Sequence, residues 1–526
     1  MKHSDEQNEI AGAFGTIKAH DAGERQGLRA RFLTLLAIIG PGLIVMVGDN
    51  DAGGVSTYAQ AGQDFGYTLL WTLPLLIPVL IVNQEMVARL GAVTGIGHGR
   101  LIRERIGRRW GNVSVGSILL LNFLIIITEF IGVSLSMQYL GVSRFYSVPI
   151  AVLALFAVTA SGSFQRWERF MMLFVAINFF VVPLVLVTHP QFSQVLHHAV
   201  VPGIRGGASS ASVLLIISII GTTVAPWQLY FQQSNIVDKR ISPRWLNYER
   251  VDTILGSVIV VIGASALIAA TAAGLSPYGG TSAYVDTLHV AQGLATHVGH
   301  GSGVFFAIIL LNASIIGAAA VTLASSYALG DVSGLRQGLD LRVREAKGFY
   351  GGFAGLLIVA GTVTLVSPNH LLSLITLMVQ AMCGLMLPST TIFVLLLSND
   401  RAILGPWVNA RWLNVLATVI VTILVVLSAV MMVSTVLPNV NVVRLLEVLA
   451  PIAVVGLAVG IPIGLRLSAP APVFTGDRRD WRTPRLSLVA APITSRPRRW
   501  LLRFVASYLA IAGVLLVVRF IQLAVS

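Results

Sequence analysis

The sequence has few charged residues for its size. Only 11% of its 526 residues are Asp, Glu, Lys or Arg, whereas average soluble domains carry about 25%. Hydrophobic residues make up 55% of the chain and form long uniform runs, not the short alternating strands of a β-barrel. The composition therefore excludes an ordinary soluble domain. It predicts an all-α polytopic membrane protein in contact with the lipid bilayer.

Cysteine is almost absent, since Cys383 is the single one. An intrachain disulfide, a Cys-based metal site and a redox pair are therefore excluded. Gly-rich phosphate loops, paired catalytic carboxylates and HExxH-type motifs are also missing, and every connecting loop is short. We therefore expect neither an enzyme nor an ATP-driven pump, and neither a cofactor nor an obligatory protein partner.

Thirteen apolar segments are long enough to be considered as membrane spans. A polar tail, 1–31, precedes them and is expected to be cytoplasmic and disordered. A basic linker, 467–499, precedes an accessory span at 500–526. The chain is thus expected to have about 12–13 spans. The segments are 32–61, 67–91, 115–140, 146–161, 170–188, 211–237, 252–274, 303–328, 349–367, 371–397, 412–437, 443–466 and 500–524.

The net charge of +13 comes from basic residues in alternate loops. Arginine and lysine follow the even-numbered segments, whereas 62–66, 275–302 and 368–370 contain neither. This alternation reflects membrane orientation rather than nucleic-acid binding. It predicts a multi-pass protein of the plasma membrane (the inner membrane of a bacterium), with a cytoplasmic N-terminus and a cytoplasmic 467–499 linker.

Two short interruptions break the first and sixth apolar segments. The first, 48–54, reads Gly-Asp-Asn-Asp-Ala-Gly-Gly, and the second, 221–226, reads Gly-Thr-Thr-Val-Ala-Pro. Glycine lowers helix propensity, Asp and Asn favour turns, and proline removes a backbone donor. Paired breaks in corresponding halves of a membrane protein are the best sequence indication of a transporter's binding site.

The first break predicts a site for a hard cation. Unwound backbone frees carbonyl oxygens, as at Gly48 and Gly54, and Asp51 adds a carboxylate. Asp49 either lines a water path or caps the second half of the helix, and we do not predict it as a ligand. The alternative is a Gly-rich kink in which Asp51 pairs with an arginine elsewhere.

The second break predicts further oxygen ligands. Pro226 frees carbonyl groups near Thr222 and Val224, and the polar stretch 227–235 that follows suggests a water-lined face. Alone, this signal is equally consistent with an ordinary proline kink. Paired with the first break, it favours a binding site between the two interruptions.

Several motifs resemble those of the Nramp divalent-metal transporters. Similarity is found in Ile39-Gly40-Pro41-Gly42, Ala61-Gly62-Gln63-Asp64-Phe65-Gly66-Tyr67, Val224-Ala225-Pro226-Trp227, Ser398-Asn399-Asp400-Arg401 and Gly405-Pro406-Trp407-Val408-Asn409. The resemblance covers about 32–440. It implies a LeuT-type fold with two inverted five-helix repeats, 32–190 and 191–398, followed by extra C-terminal helices at 399–466.

The departures from the family pattern are informative. Where the family has Asp-Pro-Gly-Asn, this chain has Asp51-Ala52-Gly53-Gly54, and the family's Met-Pro-His matches Ala225-Pro226-Trp227. Ile126 matches an acidic residue of the family's proton path, while Glu129 is retained. The carboxylate therefore remains and the amide and thioether ligands are lost, as in the Nramp-related magnesium transporter branch.

The ligand chemistry agrees with that resemblance. A thioether favours softer transition metals, whereas magnesium keeps several waters and binds through one or two carboxylates. Gln380 matches a family site residue and could bond ion-bound water, or simply make an interhelical hydrogen bond. The residues expected to hold the metal are Asp51, Gly48, Gly54, Thr222, Ala225 and Gln380.

The sequence therefore predicts a secondary transporter of Mg²⁺, and also Mn²⁺, that works by alternating access. Trp227 and Ile126 cannot titrate, so we expect no proton coupling. One alternative is a proton-coupled manganese transporter that uses Glu129 or Asp49. Another is an organic-solute carrier on the same fold, although Asp51 would repel a substrate carboxylate at that position.

Overall fold

The computed structural model describes residues 9–18, 25, 27–278, 283–437, 439–467, 474–489 and 496–525. Within these ranges the chain is almost entirely helical, apart from an antiparallel hairpin of β1 (Glu9–Gly12) and β2 (Gly15–Lys18). The α-helices are α1 Leu28–Ile38, α2 Pro41–Val47, α3 Ala52–Phe65, α4 Leu76–Thr94, α5 His98–Arg105, α6 Arg108–Tyr139, α7 Arg144–Thr159, α8 Phe164–Ile177, α9 Val181–Thr188, α10 Phe192–Val200, α11 Ser210–Thr223, α12 Pro226–Asp238, α13 Leu246–Leu275, α14 Thr287–His297, α15 His300–Ser333, α16 Lys347–Val366, α17 Asn369–Ser398, α18 Arg401–Leu404, α19 Arg411–Val436, α20 Val442–Leu467 and α21 Arg496–Val525.

Short 3-10 helices join several of these helices. They lie at Gly66–Thr72, Asn178–Phe180, Pro243–Trp245, Ser276–Tyr278, Gly405–Trp407, Arg478–Asp480 and Leu486–Leu488.

Ten helical segments within the described ranges are long and apolar enough to cross a membrane. The bent pair α1–α2, which turns by 55° between its two helices, raises this number to eleven if it is counted as one span. The apolar helix α7 is shorter, at 16 residues, and α21 is not among the ten. The all-α polytopic architecture is thus confirmed, and the expected 12–13 spans correspond to these eleven together with α7 and α21.

The polar tail is not disordered throughout, so the prediction for 1–31 is wrong at residues 9–18 and at 28–31, where α1 begins. Residues 9–18 form the β1–β2 hairpin, and Ile10 within it is fully buried. Gln165 on α8 donates a hydrogen bond of 2.9 Å to the carbonyl of Gly12. The hairpin is therefore packed against the helices. Residues 1–8 and 19–24 lie outside the described residues.

The 467–499 linker also contacts the helices where it is described. The Arg478 guanidinium lies 3.9 Å from the centre of the Trp407 ring, and the Thr483 amide donates to the carbonyl of Val93 at 3.3 Å. These contacts join the linker to the end of α4 and to the segment after α17. Beyond it, Tyr508 of α21 hydrogen-bonds to the Leu385 carbonyl of α17.

One buried carboxylate fixes the start of α2. The side chain of Asp252, on α13, accepts hydrogen bonds from the amides of Gly40, Gly42 and Leu43 at 3.0, 2.8 and 3.1 Å. The first amides of a helix have no partner within the helix, and a carboxylate there also interacts favourably with the helix dipole. Asp252 thereby fixes the short helix that leads into the first break.

Candidate metal site at the two helix breaks

The first break is shorter than the sequence predicts. Helix α2 ends at Val47 and α3 begins at Ala52, so Gly53 and Gly54 lie in the first turn of α3 and the expected unwinding of 48–54 is wrong for these residues. Asp51 is the N-cap of α3, and its Oδ1 accepts a hydrogen bond of 2.7 Å from the Gly54 amide. The carboxylate is 3% exposed and lies at the end of the break.

The second break contains two residues and touches the first. Helix α11 ends at Thr223, and α12 begins at Pro226, where proline needs no amide partner. A Cβ added to Gly54 would lie 3.3 Å from Thr222 Oγ1. The hydroxyls of Tyr58 and Thr223 are 2.7 Å apart and hydrogen-bonded. The interruptions in the two apolar segments therefore lie side by side, as the paired-break interpretation requires.

Gln380 lies directly over the first turn of α3. A Cβ added to Gly53 would be 1.5 Å from Gln380 Nε2, so the absence of a side chain at position 53 makes room for this amide. The Gln380 side chain is 1% exposed. Within the described residues its Nε2 has no hydrogen-bond partner, although the alternative interpretation assigns Gln380 to an interhelical hydrogen bond.

Gly48 and Ala225 were also predicted as metal ligands, and their surroundings differ from those of the Asp51 carboxylate. A Cβ added to Gly48 would lie 3.2 Å from Ile316 and 3.5 Å from the Trp227 ring. Ala225 is the residue that precedes α12, and it is 3% exposed. Gly48 thus lies against the Ile44 carbonyl and two apolar side chains. Asp51, by contrast, caps α3.

Glu129 on α6 belongs beside Asp51, although it was not among the predicted metal ligands. Its Oε2 accepts a hydrogen bond of 3.1 Å from the amide of Ala52, the residue next to Asp51. A Cβ added to Gly317 would lie 2.6 Å from the Glu129 carboxyl carbon and 3.0 Å from the Asp51 Cβ. One indication of this role is present in the sequence, since Glu129 lies within an apolar segment. Burying a carboxylate at membrane depth costs free energy and therefore suggests a function.

Asp51 forms no ion pair with lysine or arginine in the part of the chain that the structure describes. The alternative of a kink neutralised by arginine therefore has no support there. Nor do these residues include a group of three His, Cys, Asp or Glu side chains placed to hold a metal ion. An ion at the breaks would be held by the two carboxyl groups together with backbone, amide and water oxygens, which suits a hard cation.

Two interrupted helices that meet around buried carboxylates, inside a bundle of apolar spans, define a secondary membrane transporter. Comparison with known protein families supports this class. The sequence model of the Nramp family (natural resistance-associated macrophage protein-like) matches residues 42–434. The chain belongs to the Nramp family, whose members are transporters and not enzymes.

Individual relatives match most of the chain. It is 29% identical over 436 residues to the divalent metal cation transporter MntH of Xylella fastidiosa strain 9a5c, covering 79% of this chain and 88% of that protein. It is 27% identical over 421 residues to the MntH protein of Bacillus subtilis strain 168, covering 77% and 93%.

The fold is similar to that of a solved transporter structure. The manganese transporter of Eremococcus coleocola, in complex with an aromatic bis-isothiourea substituted compound, matches with a TM-score of 0.63 and 21% identity. The match covers 84% of this chain and 97% of that one. The LeuT-type fold expected from the resemblance, with two inverted repeats and added C-terminal helices, is thereby confirmed.

Close packing of α11 on α17 gives a testable consequence. A Cβ added to Gly221 would lie 2.7 Å from the Gly384 backbone nitrogen, and backbone atoms cannot move aside cheaply. We expect Gly221→Ala to destabilise the purified protein by about 1–3 kcal/mol, as overpacking does. Thermal unfolding in detergent should show a lower midpoint than wild type. Gly355→Ala is the control, because nothing lies within 4 Å of a Cβ there, and an equal midpoint for both variants would contradict this account.

Proposed function

We propose that this protein transports divalent cations, Mg²⁺ and also Mn²⁺, by alternating access and without coupling to protons. Relatives bear names that specify divalent metal cations or manganese, which supports the class of substrate. The metal would bind between the two breaks, using Asp51, Thr222 and Gln380 with the backbone around them.

The main support for the proposal is the set of possible ligands around the Asp51 carboxylate. Gly54 and Ala225 stand where the family resemblance implies an amide and a thioether ligand. Glu129 adds a second carboxyl group, which is hydrogen-bonded to the Ala52 amide beside Asp51. A site with two carboxyl groups, and without the amide and thioether that the family resemblance implies, suits a partly hydrated hard ion. Magnesium is the ion that such a site favours.

Transport without protons also has a sufficient driving force. A divalent ion that moves inward gains about 4.6 kcal/mol per 100 mV of membrane potential, twice the single-charge value. Trp227 occupies the position where the resemblance implies a histidine, and it is fully buried. Ile126 is likewise buried and cannot carry a proton.

A proton-coupled manganese transporter is the second candidate function. The position of Glu129 near Asp51 favours it, because a carboxyl group beside the metal ligand could give up a proton as the ion binds. An organic-solute carrier is less well supported. The start of α3, where a substrate carboxylate would bind, already holds Asp51.

The proposal also includes the orientation of the protein in the membrane and the division of the chain into repeats. The positive-inside pattern supports a cytoplasmic N-terminus and a cytoplasmic 467–499 linker in the plasma membrane. On this assignment 32–190 and 191–398 are the inverted repeats, 399–466 forms the next two spans, and 500–526 adds an accessory one.

Proton coupling can be measured directly. Proteoliposomes loaded with a pH-sensitive dye and given external Mg²⁺ should show metal uptake with no acidification of the lumen, because Trp227 and Ile126 cannot relay protons. A variant Glu129→Gln serves as the matched comparison. Acidification in the wild type that is lost in Glu129→Gln would refute uniport and favour the second candidate.

A further inference from the structure

A buried ion pair lies at the C-terminal end of α1, just before the first broken helix continues as α2. Lys239, which follows α12, donates 2.7 Å and 3.1 Å hydrogen bonds to the carbonyls of Ile38 and Ile39. It also pairs with Glu168 Oε1 on α8 at 2.7 Å, and both side chains are fully buried. Lys239 thus neutralises the carbonyl end of α1 and ties α1 to α8. We call Lys239, Glu168 and residues 38–39 the inner gate.

A polar stripe on α12 runs from the helix breaks to this gate. Gln228, Gln232, Asn235 and Lys239 are spaced by three or four residues, so they share one helix face. All four are at most 3% exposed. Gln228 faces Asp49. Neither side-chain polar atom of Asn235 has a hydrogen-bond partner within the described residues. Such a buried polar face is suited to become a water-lined path when the gate opens.

The N-terminal hairpin binds the same gate carboxylate. The amide of Ala13 donates a 2.6 Å hydrogen bond to Glu168 Oε2, the oxygen that Lys239 does not use. Arg169 on α8 donates to the Ala13 carbonyl at 3.0 Å. The tip of the hairpin also packs on α1, since a Cβ added to Gly12 would lie 1.9 Å from the Ala37 carbonyl oxygen.

We propose that the β1–β2 hairpin is a latch that holds the inner gate closed. It contacts α1 and α8 at once and occupies one oxygen of the carboxylate that anchors Lys239, so α1 cannot swing away until the hairpin releases Glu168. The latch rests on the proposed function, because opening of this gate is the inward half of alternating access. The latch therefore determines the fraction of molecules in which the polar face of α12 is accessible to solvent.

Two substitutions weaken the latch in different ways. Gly12→Ala places a methyl group against the Ala37 backbone and pushes the hairpin off α1. Ala13→Pro removes the amide that bonds Glu168 while suiting a turn position. Gly15→Ala is the matched control, because its Cβ would meet Ala37 Cβ at an ordinary 3.5 Å.

The readout is alkylation of a thiol placed on the stripe. Each variant carries Asn235→Cys with the buried Cys383 replaced by serine, and the purified full-length protein is treated with N-ethylmaleimide in detergent. Loss of a hydrogen bond to a charged group shifts such an equilibrium by about tenfold. We therefore expect Gly12→Ala and Ala13→Pro to raise the alkylation rate about tenfold, with Gly15→Ala unchanged.

The outcomes separate the latch from the transport proposal. Unchanged rates in both latch variants would overturn the latch, as would an equal increase in Gly15→Ala, which would mean general loosening. Because alkylation needs no transported ion, the latch can be supported even if magnesium uptake fails. Absence of metal uptake, together with the expected tenfold rise in alkylation of the two latch variants, would instead count against the proposed function alone.

Discussion

Replacing Asp51 by alanine is expected to reduce Mg²⁺ uptake into proteoliposomes to the level of protein-free liposomes. Asp51 lies at the end of the first break, and no lysine or arginine pairs with it in the described part of the chain. Its removal takes away one of the two carboxyl groups of the proposed site and leaves the ion only Glu129 and neutral oxygens. Initial rates of uptake from external Mg²⁺, driven by an inside-negative potential, provide the measurement.

Asp51→Asn separates charge from helix capping. Asn is as good an N-cap as Asp, so this variant should keep the hydrogen bond to Gly54 and unfold at nearly the wild-type temperature. Asp51→Ala should lose about 1 kcal/mol of stability with the cap. Both variants should fail to transport. Uptake at the wild-type rate in Asp51→Asn would show that the carboxylate is not the metal ligand.

Ala225→Met is expected to shift the preference of the site by more than about tenfold from Mg²⁺ toward Mn²⁺ or Cd²⁺. Ala225 is buried at the second break and has extended backbone angles that methionine can adopt. Its substitution supplies the soft thioether donor that the site lacks, and softer metals gain more from such a donor than magnesium does. Competition between the metals for uptake gives the preference directly.

Ala225→Leu is the control for this experiment, because it adds similar bulk without sulfur. It should lower transport of every metal without changing their order. If Ala225→Met leaves Mg²⁺ preferred, or if Ala225→Leu produces the same shift, the explanation of selectivity by ligand softness is wrong.

The sequence was sufficient to place both breaks but not to set their limits. Gly48, Asp49 and Asn50 interrupt the first helix, and Pro226 begins the second half of the sixth segment, as local propensities predict. Gly53 and Gly54 are nonetheless helical. Propensity alone expected unwinding there, whereas the Asp51 cap and the Gln380 side chain packed on Gly53 stabilise the first turn of α3.

Long-range contacts account for most of what the sequence did not reveal. Glu129 is 77 residues from Ala52 in the chain, yet it accepts a hydrogen bond from the Ala52 amide. Ala13 is 155 residues from Glu168, its hydrogen-bond partner, so a polar N-terminal segment gave no local sign of an ordered hairpin. Tertiary packing of this kind overrides the composition of a short segment.

The most direct test of the central claim is Mg²⁺ uptake by the wild-type protein in liposomes, with and without an imposed inside-negative potential and with Mn²⁺ as competitor. A hard-cation site that carries net charge inward predicts saturable Mg²⁺ uptake that the potential accelerates and that Mn²⁺ inhibits. Uptake of Mn²⁺ without any uptake of Mg²⁺ would contradict the assignment of the two helix breaks as a magnesium site.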